Sequence, residues 1–129
     1  MKRVVAVALV TSAAGCGGGH AALLPPRCHV GVYFKPGATR AQIEAVSRKL
    51  ASNKHVTRVV FVSKAQALRI MKRRFPGLVR RIPTGVNPLP DALYAHPKTR
   101  DDYAPIARSL QPRPPGIATV HYPRFGPCA

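Results

Sequence analysis

Three thiols, five imidazoles and four carboxylates are the side chains of this 129-residue chain best suited to ligate, to cut or to carry a lipid. The carboxylates are Glu44, Asp91, Asp101 and Asp102. A glycosidase needs two of them facing one bond, but Asp101 and Asp102 stand just before a helical pattern, where capping accounts for them. No nucleophile-elbow motif sets a serine beside a base. His29, His96 and His121 fall on three strand-like segments that an open sheet face could bring together, yet no close-spaced ligand pair or carboxylate accompanies them. They read as exposed histidines on an uncovered sheet face, not as a metal site. The expectation is a protein without catalytic residues, bound metal or cofactor.

The cysteines carry the clearer chemistry. Lys2 and Arg3, the apolar stretch Val4 to Val10 and the small residues Thr11 to Gly15 form an export signal over residues 1–15. Its apolar stretch is far short of the roughly 18 residues that span a bilayer. Ala13-Ala14-Gly15-Cys16 has the form of a lipobox, in which Cys16 is acylated and becomes the new N-terminus. Ser12-Ala13-Ala14 also offers the ordinary signal peptidase a site, which would release a secreted chain. Acylation of Cys16 leaves Cys28 and Cys128 to pair in an oxidising compartment, whereas its absence leaves an odd thiol. The glycines at 17–19 and Pro25-Pro26 make residues 16–27 a tether, and residues 28–129 one domain on the outer face of the cytoplasmic membrane.

The elements that position these residues follow from periodicity. Val30, Val32 and Phe34 alternate with His29, Gly31 and Tyr33, as in a strand with one buried face. Thr39 with Gln42 is a capping box for a helix whose face is Ile43, Val46 and Leu50. Thr57 to Val62 reads as a second strand, stopped by Ser63 and Gln66, and a second helix follows with Ala65, Leu68, Met71 and Phe75 in its stripe. Pro76-Gly77 breaks that helix before one more turn containing Leu78, Val79 and Ile82. Asp91 to Pro97 supplies a third strand, Tyr103, Ile106, Ala107 and Leu110 a helix capped near Asp102, and Gly116 to Tyr122 a fourth strand. The order predicts an α+β fold, a ferredoxin-like split βαβ four-stranded antiparallel sheet with a helical lobe over about 63–90 inserted between strands two and three. First and last strands are then neighbours, which brings Cys28 within reach of Cys128.

The chain carries 21 lysines and arginines against its four acids, a formal net charge of +17. Such a surface is drawn to anionic lipid headgroups, acidic wall polymers or acidic proteins. Seven of the cations lie in the lobe, Lys64, Arg69, Lys72, Arg73, Arg74, Arg80 and Arg81, with no acid among them. The same segment carries Leu68, Met71, Phe75, Leu78, Val79 and Ile82, more apolar side chain than two short helices can bury against each other. These six are the candidate partner-binding residues, with Met71 and Phe75 as anchors, and the seven cations are the candidate basic surface.

Residues 30–122 resemble the extracytoplasmic domain of the FtsX family. The resemblance rests on Val30-Gly31-Val32-Tyr33-Phe34, Gly37-Ala38-Thr39 with Gln42-Ile43, Val62-Ser63-Lys64 with Ala67-Leu68, Phe75, Asn87-Pro88-Leu89-Pro90 and Asp101-Asp102-Tyr103. It implies a non-catalytic domain that holds peptidoglycan hydrolases or their activators, with the lobe as the partner-binding part. This sequence lacks the family's four membrane helices, so binding rather than signal relay is expected of it. The Cys28 and Cys128 pair is an addition to the family pattern. The rival reading is a basic lipoprotein held to anionic lipid or wall polymer. Nucleic acid is not an expected partner, because export removes the usual substrate and no RNA-binding signature is present.

Overall fold

The computed structural model describes residues 27–128, so the signal segment, Cys16 and most of the tether lie outside the described residues. Eight elements follow one another: β1 (Val30–Phe34), α1 (Arg40–Ala51), β2 (Val56–Val62), α2 (Lys64–Arg74), α3 (Pro76–Val79), β3 (Ala92–Pro97), α4 (Tyr103–Ser109) and β4 (Ile117–His121). A short 3₁₀ turn, Arg100–Asp102, leads into α4. The strands form one antiparallel sheet in the order β2-β3-β1-β4. This is the ferredoxin-like arrangement, with α2 and α3 as the inserted lobe.

Alternation decides which face is covered. Val30, Val32 and Phe34 are buried beneath α1 and α4, joined by Leu93 and Ala95 of β3, Ile117 of β4, Val46 and Leu50 of α1, and Ile106 and Leu110 around α4. Thr39 and Gln42 close the reciprocal cap that starts α1. Before β4, a turn at Gly116 lets its carbonyl accept from the Lys35 amide at 2.8 Å. A side chain there would meet Gln42 at 2.8 Å on a backbone with φ +90, so only glycine fits.

Cys28 and Cys128 are bonded to each other, with Cα atoms 5.3 Å apart and a sequence separation of 100. Both are buried in the main core. The bond ties the start of β1 to the segment that follows β4, where strand order placed them.

A second tie joins the loop before β2 to the start of α4. The Asp102 carboxylate accepts from Thr99 and bonds His55 Nδ1. Its expected role as a helix cap is therefore modified: it closes the 3₁₀ turn back onto Thr99 and makes no side-chain cap on α4. Burial pulls its pKa up, but the bonds from His55 and Thr99 outweigh this and hold it below the usual carboxylate value.

The face of the sheet opposite α1 and α4 differs from the sequence expectation. Only His121 of its three histidines is exposed; His96 is buried and His29 half-buried. The His29 ring stacks on Tyr94 at 3.9 Å and meets His96 edge-on at 5.7 Å. Burial first, then the neighbouring His96 and His121, push the His29 pKa from 6.5 down to about 4. Burial and the Arg58 guanidinium lower His96 as well. No group of three metal-ligating side chains comes together among the described residues.

The histidine shift sets a pH dependence. Between pH 6.5 and about 4 the unfolded chain binds a proton at His29 that the folded chain refuses, so stability falls as pH is lowered through that window. Asp102 adds a further loss at lower pH, as its carboxylate takes up a proton. Urea midpoints for wild type should decline from neutral pH to pH 4.5, and His29→Gln should flatten part of that decline. An equally steep decline in the variant would contradict the assignment.

Candidate functional site

Two groups of hydrogen bonds start the lobe where β2 ends. The Ser63 hydroxyl accepts from the Gln66 amide at 3.2 Å, and the Asp91 carboxylate accepts from the Lys64 amide at 2.8 Å. Asn87 donates from its side-chain amide to the Lys64 carbonyl at 2.9 Å, while its own oxygen accepts from the Leu89 amide at 3.1 Å. The Asn-Pro-Leu-Pro segment thus clamps the first turn of α2 onto the return toward β3. Phe75 leaves helical geometry at φ −136, and Pro76 restarts the chain as α3.

No residue of α2 or α3 is buried. Phe75 is 59% exposed and Leu78 54%, unusual for large apolar side chains three residues apart. Leu68, Met71, Val79 and Ile82 are partly covered. The six candidate residues do not form a single stripe. Met71 and Phe75 line a cleft of ≈ 290 Å³ between α2 and the sheet, completed by Ala67, Ile70, Arg74, Leu89, Pro90, Ala92, Tyr33 and Tyr94. Leu68, Val79 and Ile82 line a second cleft of ≈ 540 Å³ on the other side of the lobe, with Lys72 and Arg80 at its walls and residues 83–87 closing it. Leu78 lines neither cleft.

Ala65, placed in the helical stripe by spacing, is exposed. Ala67 and Ile70 meet the cleft beside the sheet instead, because α2 is rotated so that its inner face points at β1 and β3. Tyr33 and Tyr94 come from strands distant in sequence, and their rings meet edge-on at 6.5 Å. The Tyr33 ring lies over Gly31, where an added Cβ would come within 2.9 Å of it, so glycine leaves the space the ring occupies. Burial, then Tyr94, raises the Tyr33 pKa, and its hydroxyl stays protonated at the cleft wall.

The seven cations all stand in solvent. Among the described residues none of them pairs with a carboxylate: Glu44 is held by Arg40, and Asp102 by His55. The site therefore offers two apolar clefts back to back on one helix, rimmed by uncompensated positive charge.

No helix among the described residues is long and apolar enough to cross a membrane. None of the curated proteins matches the chain. Solved structures share its fold, and two of them are extracellular domains of FtsX. One is the crystal structure of extracellular domain 1 of FtsX from Streptococcus pneumoniae in complex with undecyl-maltoside, 18% identical, TM-score 0.59, covering 75% of this chain and 95% of that one. The other is the solution structure of the large extracellular loop of FtsX in Streptococcus pneumoniae, 19% identical, TM-score 0.63, covering 74% and 99%. The family model for the FtsX extracellular domain matches residues 27–124, which takes in every strand and helix just described. The chain belongs to the FtsX extracellular domain family.

Proposed function

We propose that this chain is a non-enzymatic docking domain, anchored through acylated Cys16 on the outer face of the cytoplasmic membrane, whose lobe holds an envelope protein such as a peptidoglycan hydrolase or its activator. The observation that carries the reading is the exposure of Phe75 beside half-buried Met71, at the mouth of a cleft that the fold itself does not fill. Apolar anchors next to a pocket, ringed by cations, suit an amphipathic segment with acidic flanks. The Streptococcus pneumoniae domain in complex with undecyl-maltoside is in keeping with this, since that ligand joins an apolar chain to a polar head.

The unpaired cations favour a second reading, in which Arg69, Arg73 and their neighbours hold anionic lipid or wall polymer and the clefts are incidental. Capture of envelope proteins by wild type and by the Met71→Ala/Phe75→Ala double variant separates the two. Docking through the lobe predicts a partner retained by wild type and lost by the variant. The electrostatic reading predicts little difference between them, with binding to anionic liposomes that disappears as salt is raised.

A further inference from the structure

An open sheet has two edges, and this one treats them differently. β4 is five residues long, preceded by Pro114-Pro115 and followed within two residues by Pro123. The Ala118 carbonyl on that edge is already taken by Arg113, which donates from Nη1 at 2.7 Å. Short length, flanking prolines and an occupied carbonyl are the usual means of keeping other strands away.

β2, on the opposite edge, has none of these. It runs for seven residues, Val-Thr-Arg-Val-Val-Phe-Val, with one charge and no proline. A register shift between Val56 and Arg58 leaves Arg58–Val62 as an uninterrupted ladder against β3, with its outer side unpaired within the sheet. Phe61 on this strand is 47% exposed. Beside it, on the side of the sheet covered by α1, lies a cleft of ≈ 570 Å³ with Ile43, Phe61 and Leu93 among its walls.

Charge indicates which strand fits. Two of the chain's four carboxylates, Glu44 and Asp91, line this cleft with Arg40 as its one cation. Two copies of so basic a chain repel one another over most of their surface, and least here. The strand is also self-complementary. In an antiparallel pair centred on Val60, Val59 of one copy faces Phe61 of the other, and Arg58 faces Val62, so like charges are never opposed.

We propose that β2 is an interface strand, through which two copies of this chain pair antiparallel into one continuous eight-stranded sheet. The arrangement is isologous, and the guarded β4 edges stop it at two copies. It is independent of the lobe and stands whichever occupant the lobe takes.

Sedimentation of the purified chain carrying Cys16→Ser, which has neither lipid nor free thiol, should show mass rising from monomer to dimer with concentration. Phe61→Lys should hold it monomeric, with a melting temperature that does not rise with concentration as that of wild type does, and Val60→Lys serves if that variant folds poorly. Amide exchange in β2 should slow with concentration in wild type, while β4 is unaffected. A chain that stays monomeric throughout, as it would if the edge took a strand of some other protein, overturns the pairing. So does a dimer that both lysine variants leave intact, or one whose β2 amides exchange at the same rate at every concentration.

Discussion

Replacing Cys28 and Cys128 by serine should lower the free energy of unfolding by about 4 to 5 kcal/mol, the entropy of closing a loop of roughly 100 residues in the unfolded chain. For a domain of this size the whole stability is about 5 to 15 kcal/mol, so the variant should lie near the edge of folding at physiological temperature. Both sulfurs are buried in the core with Val30 and Ile117, and the serine hydroxyls would add an unsatisfied polar group at each position. Urea unfolding of wild type with and without reductant supplies the same comparison without mutation. A midpoint that barely moves in either experiment would show that the sheet holds its ends together unaided.

The second large effect is a reversal of the order expected from side-chain size. Ile106→Ala removes less carbon than Phe75→Ala, yet Ile106 is sealed beneath the sheet and Phe75 stands mostly in solvent. Ile106→Ala should cost about 2 to 5 kcal/mol of stability through lost burial and an unfilled cavity. Phe75→Ala should cost about 0.5 kcal/mol or less in the free protein. In the complex the ranking inverts: truncating a buried aromatic anchor should weaken partner binding by about 2 kcal/mol or more, roughly 30-fold. Melting curves and affinities of the two variants, measured side by side, test both halves. Equal destabilisation by the two would place Phe75 in the structural core and remove the reason for regarding the lobe as an interface.

Much of this architecture is legible in the chain because β-strands alternate and helices announce their starts. Val30, Val32 and Phe34 identify the covered face of β1 without further help, and Thr39 with Gln42 locates α1. The disulfide follows from strand order. The lobe is harder. Spacing names Leu68, Met71 and Phe75 as apolar but cannot give the rotation of α2 about its axis, which splits them between two clefts and adds Ile70. Tyr33 and Tyr94 join the cleft through the pairing of β1 with β3, a long-range relation that no local pattern records.

His96 illustrates the same limit. Alternation assigns it correctly to the face away from α1, but the ring of His29 and the disulfide-bonded corner at Cys28 close over that part of the face. The clamp by Asn87 had a different kind of signal. The Asn-Pro-Leu-Pro string stands out as a point of resemblance, whereas its task, holding the Lys64 carbonyl, is a contact across 23 residues that no local pattern records.

The covalent tie at Cys28 and the cleft by Tyr33 sit at opposite ends of β1, which at about 3.3 Å per residue sets them about 17 Å apart. A pull applied to the chain ahead of Cys28 would be shared at the sulfur bridge between the first strand and the closing segment before it reached the helices. A load that would otherwise peel β1 from its neighbours would thereby be grounded at the foot of the domain, and the far end would be left slack.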